Sequence, residues 1–364
     1  MELSGPAIRE KIQKAGLYPP EILTLMITGS CNLSCPHCLL DCGKTNPGHV
    51  PEKNILRIID DFSSLDGKKI ILTGGEPLLH PGWFNILEHA CKAGFAEVVL
   101  QTNGVMVTGG IVKKIKGIGP VTPVIQISID GAVPETNDKI RGRGSYHGAV
   151  KAARLFASAG FGDKVKIAFT EMSHNFDDIP EMLKLADNLG AGQFVSGTIV
   201  KSGRAKNTDW ISLPDRKQVR NLIELYETDH EFRTLYDRLG SISAIEWYRG
   251  RDVPSDHVCN CISMPFINAG GKIYPCVMNI SEDISMGNVH EQGIKQVILK
   301  GLCKWPELIA LAEKRSESLG ECRACEGRDH CKGGCMGRAQ AAAGDMMTVE
   351  DRCGLRREIY CYGR

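Results

Sequence analysis

Between residues 21 and 201 the chain alternates short apolar runs with stretches of helical apolar spacing. The runs fall at 22–28, 69–73, 97–101, 124–129, 164–170 and 193–200, and the helical stretches between them at 52–64, 82–93, 110–116, 148–159 and 179–189. Strands separated by helices cannot pair as hairpins, whereas a parallel neighbour requires a crossover of this length. The pattern predicts an α/β fold with a parallel sheet and helices outside, wound either as a partial barrel or as an open doubly wound sheet. Both architectures place their chemistry on loops beyond the carboxyl ends of the strands.

The loop leaving the first run carries Cys31-Asn-Leu-Ser-Cys35-Pro-His-Cys38, a C-x3-C-x2-C spacing. Three chemistries fit it. Turns of this length bring three thiolates to neighbouring irons of a cubane cluster and leave the fourth iron open. Cys35 and Cys38 also form a C-x-x-C dithiol. A zinc site completed by His37 or His49 is the third reading.

The second run enters Gly74-Gly-Glu-Pro77. Gly74 and Gly75 allow a ligand close to the backbone, Pro77 fixes the turn, and Glu76 offers a carboxylate to a cationic group such as an α-ammonium. A helix is expected to begin around Ser145, with Arg141 and Arg143 just upstream as candidates for bidentate contact with a carboxylate. Residues 213–249 read as helical and as a bridge between domains. The charged stretch around Lys201, Arg204 and Lys206 reads as a solvated face.

The formal charge of +1 gives no general attraction to nucleic acid or anionic lipid. No stretch approaches the roughly 20 apolar residues that span a bilayer, and the first 20 residues lack a signal peptide's apolar core. A cytoplasmic protein is expected. Fifteen cysteines are many for that compartment, where thiols stay reduced, so metal binding is their natural use.

Ten of the fifteen fall after Val258. Cys261 and Cys276 flank Gly270-Gly-Lys-Ile-Tyr-Pro275, which reads as a hairpin turn. Beyond them lie Cys322-x2-Cys325-x5-Cys331-x3-Cys335 and then Cys353. A zinc ribbon on the four cysteines from 322 to 335 is one reading, but it leaves Cys259, Cys261, Cys276 and Cys353 without a role.

The chain resembles the radical S-adenosylmethionine (SAM) family. CNLSCPHC carries that family's cluster motif, with His37 at a position usually aromatic, and LTGGEPLLHP matches its glycine-rich motif, which binds the methionyl amino group. QTNG at 101–104 and SIDG at 128–131 stand where the family approaches the ribose and carboxylate. The resemblance implies a partial (β/α)6 TIM-like barrel. It makes Cys31, Cys35 and Cys38 ligands of the catalytic [4Fe-4S] cluster, and Gly74, Gly75, Glu76, Pro77, Thr102, Asn103, Ser128, Asp130 and Arg141 the cosubstrate-binding residues. In the family, amino and carboxylate groups of SAM chelate the open iron. One electron then breaks the carbon–sulfur bond, and the resulting 5′-deoxyadenosyl radical takes a hydrogen from the substrate.

The later cysteines resemble the SPASM extension of that family, a small domain holding two auxiliary [4Fe-4S] clusters. By that resemblance Cys261, Cys276 and Cys335 hold the first, with Cys259 the candidate fourth ligand, and Cys322, Cys325, Cys331 and Cys353 hold the second. The implied organisation is an N-terminal extension at 1–20, the barrel at 21–205, a helical bridge at 206–255 and the SPASM domain at 256–364. Cys42, Cys91, Cys303 and Cys361 match no motif and read as buried small hydrophobes.

The resemblance implies an oxygen-sensitive oxidoreductase or maturase, monomeric and fed by an electron donor such as flavodoxin or ferredoxin. Its substrate is expected to be a ribosomally made peptide or protein side chain, modified by crosslinking, oxidation or decarboxylation. The alternative is a modified tetrapyrrole in anaerobic haem or haem d1 synthesis. An iron–sulfur electron carrier without catalysis is the remote third reading. The 20 residues before the first run are too few for a leader-peptide recognition domain. Val277 stands where sulfatase maturases place a basic aspartate, which speaks against that activity.

Overall fold

The computed structural model describes residues 3–43, 48–255, 259 and 261–363. Each predicted run forms a strand: β1 (Ile22–Thr28), β2 (Lys69–Gly74), β3 (Glu97–Thr102), β4 (Val124–Ser128), β5 (Val165–Glu171) and β6 (Gln193–Thr198). They pair in parallel and in strict sequence order. A doubly wound sheet reverses its order at a switch point. Here the winding never reverses, so the sheet is the partial barrel.

Helix Glu52–Ser64 buries Ile55, Ile58, Ile59 and Phe62, spaced at i, i+3, i+4 and i+7, and this stripe faces the sheet. The other crossover helices, Trp83–Lys92, Gly109–Lys116, Ser145–Phe156 and Ile179–Asn188, fall where expected, and the one that begins at Ser145 starts where the residues around 145–148 placed it. Two further helices, Gly5–Lys14 and Pro134–Arg141, were not expected. The stretch after the barrel forms three helices, Arg216–Thr228, His230–Leu239 and Ser243–Gly250, with the two-residue strand β7 (Gly240–Ser241) against β6.

The second cysteine field rejoins the sheet. Its strands β8 (Phe266–Ile267) and β9 (Ile273–Tyr274) form an antiparallel hairpin, and β8 pairs in parallel with β1 through Thr24↔Phe266 and Leu25↔Ile267. The turn itself is centred before Ile273, with Gly271 at φ +84°, so Ile273 and Tyr274 belong to the returning strand. This docking brings the residues after β9, including Cys276, to the mouth of the barrel. Among the described residues no helix is long and apolar enough to cross a membrane.

Candidate active site and auxiliary cysteine nests

A cavity of about 510 Å³ opens at the carboxyl ends of the strands. Cys31, Cys35 and Cys38 line it together with Gly74, Gly75, Thr102, Asn103, Ser128 and Arg141, and Val277 and Met278 border it from the second cysteine field. Four loops far apart in sequence thus converge as the βα repeats require. Arg143 is exposed and stands apart.

The cysteine loop is fixed by a residue that sequence reasoning assigned to solvent. Arg204 donates from Nε to the Cys35 carbonyl (2.9 Å) and from Nη1 to the Cys42 carbonyl (2.6 Å) and Asp41 (2.8 Å), while its amide donates to the Cys38 carbonyl (3.1 Å). Cys42, expected to be an inert hydrophobe, also lines the cavity. Its amide donates to the Cys38 sulfur at 3.4 Å, and its thiol bonds the same sulfur, which together hold the Cys38 pKa below the usual thiol range. Burial pushes the Cys31 thiol up to about 11. Cys91 is buried as expected, but Cys303 and Cys361 are exposed.

Gly74 and Gly75 are required first by the protein's own backbone. A Cβ on Gly75 would lie 2.2 Å from the Ser30 carbonyl oxygen, and one on Gly74 would lie 2.5 Å from that of Thr28. The glycines therefore let the loop after β2 pass against the loop that carries the cysteines, while still facing the cavity. Pro77 is buried and opens the short helical turn Pro77–Leu79.

Glu76 differs from its expected orientation. It is wholly buried and does not line the cavity. Its carboxylate accepts from Thr102 Oγ1 (2.8 Å), the Asn103 amide (2.8 Å) and the Leu78 amide (3.2 Å). Burial outweighs these bonds and raises its pKa to about 7. The loops after β2 and β3 are thereby tied together, and Asn103 Nδ2 extends the tie to Asn32 Oδ1 in the cysteine loop at 2.7 Å.

Asp130 is likewise turned into the protein. Its Oδ2 lies 2.7 Å from Arg141 Nε and 3.2 Å from His37 Nε2, and its Oδ1 accepts from the Thr170 amide at 2.7 Å. Burial lowers the His37 pKa to about 4, so the imidazole is neutral at pH 7 beside the carboxylate. Residues expected to touch a cosubstrate directly thus divide into a lining set and a set behind it, Glu76, Pro77 and Asp130, that supports it.

The later cysteines separate into two nests. Cys322, Cys325, Cys331 and Cys353 line one small cavity. Cys259, Cys261, Cys276 and Cys335 are linked as neighbours through Cys259 and Cys276: burial pushes the Cys276 thiol up to about 12, followed by repulsion from Cys335 and Cys259, and Cys261 is raised by burial and then by Cys259 and Cys276. Among the described residues no three His, Cys, Asp or Glu side chains are grouped closely enough to share a single metal ion. Each nest offers four thiols, the donor set that a four-iron cluster takes.

Residues 25–186 match the model of the radical SAM superfamily, and residues 259–326 match that of an iron–sulfur cluster-binding domain, SPASM. The mycofactocin maturase MftC of Mycobacterium tuberculosis is 31% identical over 336 residues, covering 91% of this chain and 82% of that one. An AdoMet-dependent heme synthase of Methanosarcina barkeri is 28% identical over 351 residues, covering 92% and 96%. The structure of Streptococcus suis SuiB bound to precursor peptide SuiA superposes with a TM-score of 0.74 at 17% identity, over 94% of this chain and 78% of that one.

Proposed function

This chain belongs to the radical SAM superfamily, as an enzyme carrying a SPASM domain, and we propose that its substrate is a side chain of a ribosomally made peptide or protein. The observation that carries this reading is the state of the cavity's cations. Arg141 is engaged by Asp130, and Arg204 by Asp41 and two loop carbonyls. Among the described residues no other Arg or Lys lines the cavity. A modified tetrapyrrole brings several carboxylates, each needing a cation once out of water. A peptide's amides need neutral partners, and Gln101, Gln126, Ser196 and Thr198 in the wall supply them.

In this reading Cys31, Cys35 and Cys38 hold the catalytic four-iron cluster, and the lining set from Gly74 to Arg141 cradles SAM. When bound, that cluster supplies the electron for reductive cleavage of the cosubstrate. Glu76 and Asp130 act behind the wall as positioning residues. The two nests hold two auxiliary clusters, making three in all, with Cys259 completing the first. An electron donor such as flavodoxin or ferredoxin would feed the cavity, and the cysteines of the two nests would hold clusters able to take up the electron that an oxidative outcome releases.

The likeness to a heme synthase supports the tetrapyrrole reading as the alternative. Both are tested by incubating the anaerobically reconstituted, dithionite-reduced enzyme and SAM with a precursor peptide encoded beside its gene. The expected product has lost two hydrogens or a small fragment. Failure on peptides, with loss of carboxylate or acetate carbon from a sirohaem derivative or iron porphyrin, overturns the peptide assignment.

A further inference from the structure

The loop joining the two nests is held in an unusual backbone conformation. Lys332, Gly333 and Gly334 all have positive φ, at 51°, 85° and 74°. Successive left-handed residues reverse the chain within one short loop. Cys331 on one side therefore faces the nest of Cys322, Cys325 and Cys353, while Cys335 on the other side joins Cys259, Cys261 and Cys276.

Arg315, from helix Trp305–Ser318, is packed against this reversal and has no solvent exposure. Its Nε and Nη2 donate to the Gly333 carbonyl at 3.2 and 2.8 Å, and Nη2 also donates to the Thr348 carbonyl at 2.9 Å. A Cβ on Gly333 would lie 2.7 Å from Arg315 Cβ, so the glycine is what lets the helix approach. The third nitrogen, Nη1, is buried with no hydrogen-bond partner among the described residues. Carbonyls satisfy the donors but not the charge. The nearby buried carboxylate, Glu350, is already 2.8 Å from Arg352 and 2.9 Å from Arg356. The Arg315 charge interacts first with this shared Glu350 and then with thiols of both nests: Cys335 and Cys259 in one, Cys322 and Cys331 in the other.

One carboxylate shared among three buried guanidiniums leaves positive charge in excess, and a four-iron cluster on thiolates is net negative in its usual oxidation states. We propose that Arg315 is the shared counter-charge of the two auxiliary clusters and raises the reduction potential of both. This rests on the reading that each nest holds a cluster. A fixed positive charge between them would favour an added electron on either side.

The test is an EPR-monitored redox titration of the full, anaerobically reconstituted enzyme, with iron counted first and the catalytic signal identified by its response to SAM. Absence of auxiliary iron in the wild type overturns the cluster reading itself, and the proposal with it. With both auxiliary clusters present, Arg315→Gln is expected to shift both their potentials downward and leave the catalytic cluster unchanged, and Arg315→Lys is expected to restore them. Unchanged potentials in a fully loaded Arg315→Gln enzyme, or a shift confined to one cluster, overturns the shared role while leaving the cluster reading intact. If Arg315→Gln does not load, Arg315→Lys decides. Full loading at wild-type potentials supports the charge role, whereas failure to load assigns Arg315 to clamping the Gly333 carbonyl and overturns the proposal.

Discussion

The amide of Asn103 donates to Oε2 of Glu76 at 2.8 Å, joining the loop after β3 to the loop after β2 beneath the cavity floor. Because the carboxyl is buried, its pKa rises from the ordinary value of 4.5 to about 7. The native state thus keeps a proton that the unfolded chain releases above about pH 4.5. Stability from this group is complete below that pH and is lost as pH rises through about 7, a change of roughly 3 kcal/mol. Glu76→Gln is expected to remove this slope without removing iron, and to weaken SAM binding because its amide cannot accept from both Thr102 and Asn103 in the same way. Thermal unfolding from pH 5 to 8, at matched iron content, measures the slope. A variant with the wild-type slope would show that the carboxyl titrates elsewhere.

The Asp130–Arg141 contact at 2.7 Å is an ion pair with side-chain exposures of 0% and 11%. Asp130→Asn keeps the shape and the Thr170 contact but leaves the guanidinium buried beside a neutral His37. Breaking such a pair from one side costs about 3–5 kcal/mol. The double variant Asp130→Asn/Arg141→Met is expected to be less destabilised than Asp130→Asn alone. Urea unfolding of the wild type, both single variants and the double variant gives the coupling, and additive losses would show that the pair is not acting as one.

Much of this architecture was legible because each signal is local. Helix Glu52–Ser64 was read to the residue from the spacing of Ile55, Ile58, Ile59 and Phe62. Helix Pro134–Arg141 was missed because its eight residues, PETNDKIR, bury just Asn137 and Ile140 and so carry no apolar stripe. The motif cysteines were legible by spacing. Arg204 was not, since its partners Cys35 and Cys42 lie 169 and 162 residues away and one basic residue in a polar stretch looks like any other. Glu76 and Asp130 were found, but their direction was not: sequence marks a carboxylate near a site without saying whether it faces the cavity or the wall behind it. The docking of β8 on β1 was likewise invisible, being a two-residue strand paired across the whole barrel.

Replacing Cys31, Cys35 and Cys38 together by Ala is expected to abolish reductive cleavage of SAM while leaving about eight irons in place, the content of two four-iron clusters. These three thiols share the cavity with the glycine-rich loop, whereas the nests of Cys276 and Cys331 are built from separate residues. Iron analysis paired with detection of 5′-deoxyadenosine separates the two effects. Deoxyadenosine formed by the triple variant would move the active cluster elsewhere.

The charge interactions within the first auxiliary nest favour Cys259 as its fourth ligand. It is raised in pKa by burial and then by Cys335, and it in turn raises both Cys261 and Cys276, so it stands among all three expected ligands. A thiol placed there at no cluster would be a buried group repelled by three neighbours. Cys259→Ser offers a harder, poorer ligand of nearly the same size, so packing is preserved while iron ligation is changed. The expected result is a first auxiliary cluster that is lost or converted to a three-iron form, with the catalytic cluster and the cluster on Cys322, Cys325, Cys331 and Cys353 unaffected. Mössbauer spectra and iron counts of the reconstituted variant measure this directly. An unaltered iron content and spectrum would instead mean that the iron nearest Cys259 is open to a substrate ligand.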